Sequence, residues 1–178
     1  MNKLSMFLSF CLIFLLFSSC APDYTDDVEG AYDVANLGSG SCTTIDGYTW
    51  SPRSSYEMHW DDAVSYCDSR TACGYSDWHL PTISELRTLI QNCSQTETNG
   101  TCGVTDSCLS SSECRNDACS GCSSDSTGKY SKLGDTGYFW SSSTRSDFTD
   151  VAWFVGFPNG YVDDSSKADD GNYVRCVR

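Results

Sequence analysis

Cysteine is the residue type with the most chemistry available to it in this sequence. Twelve cysteines are present among 178 residues. Ten of these follow the first twenty residues: Cys42, Cys67, Cys73, Cys93, Cys102, Cys108, Cys114, Cys119, Cys122 and Cys176. An even number in an oxidising compartment predicts a disulfide framework. Zinc or an iron–sulfur cluster is the alternative, because of the spacing Cys114-x4-Cys119-x2-Cys122. That run lacks a second matching pair and has no histidine nearby, so we expect disulfides.

The disulfide interpretation depends on export, which the first twenty residues predict. A short basic opening, Met1-Asn2-Lys3, precedes an apolar run over residues 4–17 that ends in Ser18-Ser19-Cys20. This pattern is typical of a bacterial secretory signal and is short for a membrane span. The four residues 17–20 resemble a lipobox. We therefore expect residues 1–19 to be a signal peptide and Cys20 to carry lipid that anchors the protein to the outer membrane or cell surface. A free secreted protein is the alternative.

Charge narrows the range of partners. The formal net charge is −13, and removing residues 1–19 removes one lysine and no acidic residue. Such acidity argues against nucleic acid or an anionic membrane surface as a partner, since both require Lys and Arg. The lipid, rather than surface charge, would provide membrane contact. Residues 20–41 are acidic, contain no basic residue and end in Gly38-Ser39-Gly40-Ser41, which predicts a flexible tether.

Catalytic chemistry finds little support in the sequence. His59 and His79 are the only histidines, and no Gly-x-Ser-x-Gly motif exists. We expect no catalytic residue and no cofactor. Calcium is the alternative, because six aspartates lie in C-terminal loops: Asp147, Asp150, Asp163, Asp164, Asp169 and Asp170. No Asp-x-Asp-x-Asp-Gly array accompanies them.

Hydrophobic patterning places these residues on a domain over residues 42–178. Tyr48-Thr49-Trp50 predicts a first strand. Apolar residues at i, i+3, i+4 and i+7 from Trp60 to Cys67 predict a helix, in front of which His59 would lie. Thr82 to Glu85 matches a capping box, and we expect a second helix there with a buried stripe of Ile83, Leu86, Leu89 and Ile90.

The remainder divides into an insert and a strand-rich end. Residues 93–127 hold six cysteines and few large apolar residues, so we expect an insert ordered by about three disulfides rather than by a core. Strands are predicted from Tyr138, over residues 151–157 and at Tyr161-Val162, with a hairpin turn at residues 158–160. Tyr173, Val174 and Val177 predict a last strand.

Aromatic residues interleaved with Ser, Asn and Asp favour a binding surface at the C-terminal end. We expect recognition through loops at residues 143–150 and 158–172. The candidate ligand-binding residues are Arg145, Asp147, Phe148, Asp150, Asn159, Tyr161, Asp163, Lys167 and Asn172. By contrast, five other aromatic residues are expected in the core: Trp60, Trp78, Trp140, Trp153 and Phe154.

Several motifs resemble the Lcl C-terminal domain family over about residues 43–178. They are residues 58–67 (MHWDDAVSYC), 74–82 (GYSDWHLPT), 139–143 (FWSSS), 152–155 (AWFV), 160–162 (GYV) and 174–178 (VRCVR). That family is similar in fold to C-type lectins and formylglycine-generating enzymes. The resemblance implies an α+β, C-type-lectin-like fold with two helices, a small twisted antiparallel sheet, long loops and chain ends close together.

The resemblance also implies a disulfide between Cys67 and Cys176. Closing a loop of that size would stabilise the fold by about 4 to 5 kcal/mol. We further expect Cys42 to bond to Cys73. The chain departs from the related patterns elsewhere. His79 stands where the family usually has arginine, the sugar-binding calcium motifs of C-type lectins are absent, and no cysteine pair after Cys122 matches the catalytic pair of formylglycine-generating enzymes.

Together these features predict a non-enzymatic, surface-displayed binding lipoprotein. Its expected partner is an extracellular glycan or protein, a class implied by the resemblance alone. An enzyme related to formylglycine-generating enzymes and a purely structural envelope lipoprotein are the alternatives.

Overall fold

The computed structural model describes residues 41–178, so the expected signal peptide, Cys20 and nearly all of the tether lie outside the described residues. Regular elements in this part follow in the order β1 (Thr43–Ile45), β2 (Tyr48–Trp50), α1 (Trp60–Asp68), α2 (Ile83–Arg87), α3 (Ser111–Cys114), a 3₁₀ helix (Asp117–Ser120), β3 (Tyr138–Thr144), β4 (Val151–Gly156) and β5 (Tyr161–Ser166). Short helices and antiparallel strands define an α+β, disulfide-rich domain. None of the helices in residues 41–178 is both long and apolar enough to cross a bilayer.

The domain begins with a two-stranded hairpin that the sequence analysis predicted only in part. Strands β1 and β2 pair through a two-residue turn in which Asp46 and Gly47 have φ of 50° and 87°. Positive φ at both positions is the type I′ geometry that Asp-Gly favours. The predicted strand β2 is confirmed, whereas β1 was missed.

The two ends of the domain lie against each other. The Thr49 N–H donates to the Arg178 carbonyl at 2.9 Å, and the Arg178 N–H donates to the Thr49 carbonyl at 3.1 Å. The prediction of a last strand is wrong, because Tyr173, Val174 and Val177 do not form a regular strand. Tyr173 bridges Phe139, whereas Val177 bridges both Trp50 and His79, so no single neighbour supports a continuous ladder.

Both predicted helices are present, although the second is short. Helix α1 buries Ala63 and Cys67, and His59 occupies its N-cap position without a side-chain capping bond. The capping box at α2 is confirmed: Thr82 accepts the Glu85 N–H, and the Glu85 carboxylate accepts the Thr82 N–H. Helix α2 ends at Arg87, and the rest of the predicted stripe is buried in the turn that follows.

Strands β3, β4 and β5 form an antiparallel sheet with β4 at its centre. Every residue of β4 is buried, because apolar clusters cover both faces of the sheet. Trp153 and Val155 face the cluster that contains α2, and Ala152 and Phe154 face the cluster that contains α1. The predicted turn at residues 158–160 connects β4 to β5. Since β5 continues to Ser166, much of the expected 158–172 recognition loop is strand.

The insert joins the main core, which corrects the expectation that crosslinks alone would order it. The cluster that contains α2 also buries Val104 and four half-cystines of the insert: Cys93, Cys102, Cys114 and Cys119. A disulfide is apolar once formed, so these residues contribute burial as well as crosslinks. The insert also contains α3 and the 3₁₀ helix, neither of which was predicted.

Candidate functional site

All ten cysteines in residues 41–178 are disulfide-bonded. The pairs are Cys42–Cys73, Cys67–Cys176, Cys93–Cys122, Cys102–Cys119 and Cys108–Cys114. The first two pairings are those expected from the sequence, and the other three lie within the insert. This part of the chain therefore has no thiol left for nucleophilic or redox chemistry.

The insert is fixed to the β3–β4 loop through Asp147. Its carboxylate accepts the backbone N–H groups of Ser111 at 3.1 Å and Ser112 at 3.3 Å, and the Ser110 hydroxyl at 3.3 Å. These amides open α3, where backbone donors lack partners inside the helix. The Ser146 N–H donates to the Leu109 carbonyl at 3.1 Å in addition. Asp147 thus links the loop to a helix that is itself closed by the Cys108–Cys114 bond.

Arg145 links the same loop to β5. Its Nε lies 3.0 Å from the Asp147 carboxylate and its Nη1 lies 3.0 Å from the Asp164 carboxylate. The Arg145 guanidinium, together with the Ser111 amide, holds the pKa of the Asp147 carboxyl well below its usual range. The Asp147 carboxylate in turn raises the pKa of Arg145. Both side chains are charged across the physiological pH range.

Phe148 lies between these anchored residues and is 53% exposed. The Arg145 guanidinium lies 5.9 Å from the centre of its ring. Two residues later, the Asp150 carbonyl accepts the Lys167 N–H at 3.0 Å. The phenyl ring is thus presented to solvent by a loop whose backbone is held on both sides.

Lys167 and Trp60 extend this surface. The Lys167 ammonium lies 4.2 Å from the centre of the Trp60 ring and donates to the Thr144 hydroxyl at 2.8 Å. The Lys167 carbonyl accepts the Trp60 N–H at 3.2 Å. We call residues 145–150 and 167–170, together with Trp60, the Phe148 surface. It combines one exposed ring, one partly buried indole, two cations and several carboxylates.

The remaining candidate residues do not join the Phe148 surface. Asn159 lies in the β4–β5 turn, at the opposite end of the ladder that pairs Val151 with Ser166. Its side-chain amide donates to the Ser120 carbonyl at 3.1 Å. Asn172 is buried, and its backbone pairs with Met58. The nine candidates therefore occupy separate places rather than one site.

Tyr161 and Asp163 lie on β5, between those two ends. The Tyr161 ring packs edge-on against Tyr138 and Phe154, at centroid distances of 6.0 Å and 5.4 Å. Burial, with the neighbouring Tyr138 phenol and the Asp163 carboxylate, raises the pKa of Tyr161 to about 12. Asp163 accepts from Arg115 of the insert at 2.9 Å.

The end of the insert lies beside the first residues of β5. The Cys122 N–H donates to the Asn159 carbonyl at 2.7 Å. Gly121 has φ of +77°, and a Cβ added there would lie 2.8 Å from the Tyr161 backbone nitrogen. Only glycine allows the insert to approach the strand this closely.

Five of the six aspartates considered for calcium have side-chain partners. Asp147, Asp163 and Asp164 pair with arginines, as described above. Asp169 and Asp170 accept the side-chain hydroxyls of Ser166 and Ser165 at 2.9 Å and 2.7 Å. No group of three or more His, Cys, Asp or Glu side chains in residues 41–178 is arranged to hold a metal ion.

The two histidines make structural contacts, and one of them borders the Phe148 surface. His59 Nδ1 lies 3.2 Å from the Asp170 carbonyl. His79 Nε2 lies 3.2 Å from the Glu85 carboxylate, which also takes part in the capping box of α2. His79, at the position where the family usually has arginine, therefore contacts Glu85.

A cleft of about 450 Å³ opens at the β4–β5 turn. It is lined by Ser124, Asp125, Ser126, Thr136 and Pro158. The cleft has no aromatic wall and no basic side chain, so it lacks the features that anchor most ligands.

Three contributions to the Phe148 surface were not predicted from the sequence. Ser111 and Ser112 of the insert hold Asp147 in place, and Trp60 is partly exposed rather than fully in the core. The partial exposure of Trp60 could have been predicted, because the first residue of a helix seldom has its whole side chain buried. The role of Ser111 and Ser112 could not have been predicted, because serine is abundant throughout the insert.

Comparison with known proteins gives one positive result. The family model described as the Lcl C-terminal domain matches residues 41–178. No curated protein matches the chain.

Proposed function

The chain belongs to the Lcl C-terminal domain family, and from that premise we propose that it is a non-enzymatic binding protein displayed outside the cytoplasm. The proposed fold is the C-type-lectin-like form of an α+β domain. The pairing of Thr49 with Arg178 supports it, because that fold brings its chain ends together. The Cys67–Cys176 bond between α1 and the C-terminal residues supports it as well.

One observation carries the binding role: Phe148 is exposed on a loop that is held in place by its neighbours. An exposed aromatic ring offers a large apolar area for contact, and such rings dominate the energetics of many interfaces. A ring on a mobile loop would lose conformational entropy on binding. Here the contacts of Asp147 and Asp150 already order the loop in the free protein. Less conformational entropy is therefore lost when a ligand binds.

The insert has a defined part in this proposal. The Cys108–Cys114 bond closes the segment that contains α3, and α3 supplies the amides that hold Asp147. Crosslinks in the insert thus stabilise the loop that presents the ring. A scaffold role of this kind requires oxidised cysteines, as observed for all ten in the described part of the chain.

The ligand we propose is an extracellular glycan or protein without a high negative charge. Carboxylates outnumber cations on the Phe148 surface, and both Arg145 and Lys167 already have partners. Sulfated or phosphorylated polymers would therefore meet repulsion. Display on a lipid anchor at Cys20, followed by the acidic tether, remains part of the proposal.

Binding of the purified, oxidised protein to arrays of immobilised glycans and of immobilised extracellular proteins tests this function, with and without calcium. We expect saturable binding on one of the two arrays. Phe148→Ala should weaken it at least tenfold, a loss of about 1.4 kcal/mol or more. Tyr56→Ala is the matched control, because Tyr56 is 56% exposed and lies outside the Phe148 surface. Blank arrays, or an equal loss in both variants, would contradict the proposal.

The two alternatives make different predictions. An enzyme related to formylglycine-generating enzymes needs a reactive cysteine pair, so two or more free thiols in the native exported protein would favour it. A purely structural envelope protein predicts no saturable ligand at all. Counting thiols identifies the enzyme, and the array result on the same preparation distinguishes a binding protein from a structural one.

A further inference from the structure

Two disulfides each have one of their cysteines within residues 67–73. Cys42 bonds to Cys73, and Cys67 bonds to Cys176. Residues 67 and 73 are separated by only six peptide bonds, at the C-terminal end of α1 and just beyond it. Cys42 is the second residue of the described part, and Cys176 is followed by two residues. A covalent route therefore runs from one end of the domain to the other through residues 67–73 and 176–178.

We propose that these two bonds form a covalent bypass that carries a pulling force past the folded domain. Tension that arrives at Cys42 from the preceding segment would pass to Cys73, along residues 67–73, and then to Cys176. Residues 43–66 and 74–175 lie off this route and would stay folded. This inference does not depend on the Phe148 surface binding a ligand.

Without crosslinks, the same pull would open the domain. The ends are held by a few backbone hydrogen bonds, such as those between Thr49 and Arg178. Each is individually weak, and pulling at the ends would open them one after another. The bypass limits this opening, because it becomes taut after a small extension.

The extended length of the chain shows how strongly the bypass limits the extension of the domain. At about 3.6 Å per residue, the bypass extends to about 40 Å between residues 42 and 178. A chain of the same residues without crosslinks would extend to about 490 Å. The three insert disulfides lie off the bypass, so they do not change its length while the bypass is intact.

Single-molecule force spectroscopy tests the proposal. The full oxidised chain is held through its N-terminal segment and through a tag added after Arg178. We expect the domain to contribute no more than about 40 Å of extension before the handles fail. Because contour length is set by covalent connections, the disulfide pairing of each variant is mapped by peptide mass spectrometry before it is pulled.

Three double variants give distinct lengths. Cys42→Ser with Cys73→Ser should extend to about 100 Å, since the route then follows residues 42–67. Cys67→Ser with Cys176→Ser should reach about 280 Å, since the route then runs through the Cys93–Cys122 bond. Cys108→Ser with Cys114→Ser is the matched control and should stay near 40 Å. Extension of the intact chain well beyond 40 Å, or lengthening of the control to the 280 Å of the Cys67 variant, would overturn the bypass.

Discussion

The carboxylate of Asp147 accepts the backbone N–H of Ser111 at 3.1 Å, and this contact joins the β3–β4 loop to the cystine-rich insert. A carboxylate at the start of a helix satisfies amides that have no partner within the helix. Here the carboxylate comes from a distant part of the chain. The insert and the Phe148 surface are therefore one structural unit, although Ser111 and Asp147 are 36 residues apart in the sequence.

Removal of the Asp147 carboxylate should loosen the Phe148 loop. In Asp147→Ala we expect amide hydrogen exchange at residues 145–150 to accelerate at least tenfold, because Ser111, Ser112 and Arg145 all lose a partner. Asp150→Ala is the control, since the loop is held there through the backbone carbonyl. Unchanged exchange in Asp147→Ala would show that other contacts hold the loop.

Acid should release the same loop. Arg145 holds the pKa of Asp147 far below that of an unfolded chain, which is about 3.9. A depressed folded-state pKa contributes stability that is present above pH 4 and is lost as pH falls from about 4 toward the folded-state value. We expect the carboxyl carbon shift of Asp147, measured by NMR, to remain that of the charged form at pH 3. A midpoint near 4 would contradict this assignment.

Arg87 should be required for the insert to dock. Its guanidinium is 3% exposed and donates to the carbonyls of Thr96 and Glu97, at 3.0 Å and 2.9 Å, and to that of Val104. Burial lowers the pKa of Arg87. Replacement by methionine leaves the carbonyls of Thr96 and Val104 without a donor, whereas the Glu97 carbonyl keeps the Gly100 N–H at 2.8 Å, and we expect a loss of about 3 kcal/mol in the free energy of unfolding.

Chemical denaturation with the disulfides intact measures this loss. Arg53→Met is the control, because Arg53 is exposed and stacks on Tyr173 at 4.4 Å. It should change the free energy of unfolding by less than about 1 kcal/mol. An equal effect of the two replacements would mean that the buried carbonyl contacts contribute little.

Gly156 should control the ionisation of Tyr161. The two residues pair across β4 and β5, and a Cβ at position 156 would overlap the Tyr161 ring. We therefore expect Gly156→Ala to displace the ring and to lower the pKa of Tyr161 from about 12 toward 10. The raised pKa contributes stability below pH 10 that is lost as pH rises from about 10 to 12. NMR titration of labelled tyrosine follows this directly, and a wild-type midpoint near 10 would refute it.

Local patterns predicted the elements that depend on neighbouring residues. The capping box at Thr82 and Glu85 and the apolar face of α1 follow from helix geometry, and both are present. The Asp46-Gly47 turn was equally visible in the sequence and should have predicted β1, because Asp-Gly strongly favours a two-residue hairpin. That omission was an error of interpretation rather than a limit of the sequence.

Long-range relationships were beyond the reach of local patterns. Six cysteines in the insert allow fifteen pairings, and nothing in their spacing selects one. Arg87 resembles any helix-surface arginine until three carbonyls from the insert are brought around it. The candidate ligand residues were grouped by loop composition, yet the β4–β5 ladder places Asn159 at the far end from Phe148.

The position of the insert has a further consequence for solubility. β5 is an edge strand, and an unpaired edge can recruit strands from other molecules and begin aggregation. Gly121 and Cys122 lie along its first residues, and Arg115 pairs with Asp163 farther on. The cystine-rich segment therefore covers the first residues of this edge, where it would hinder the pairing of β5 with a strand from a neighbouring copy.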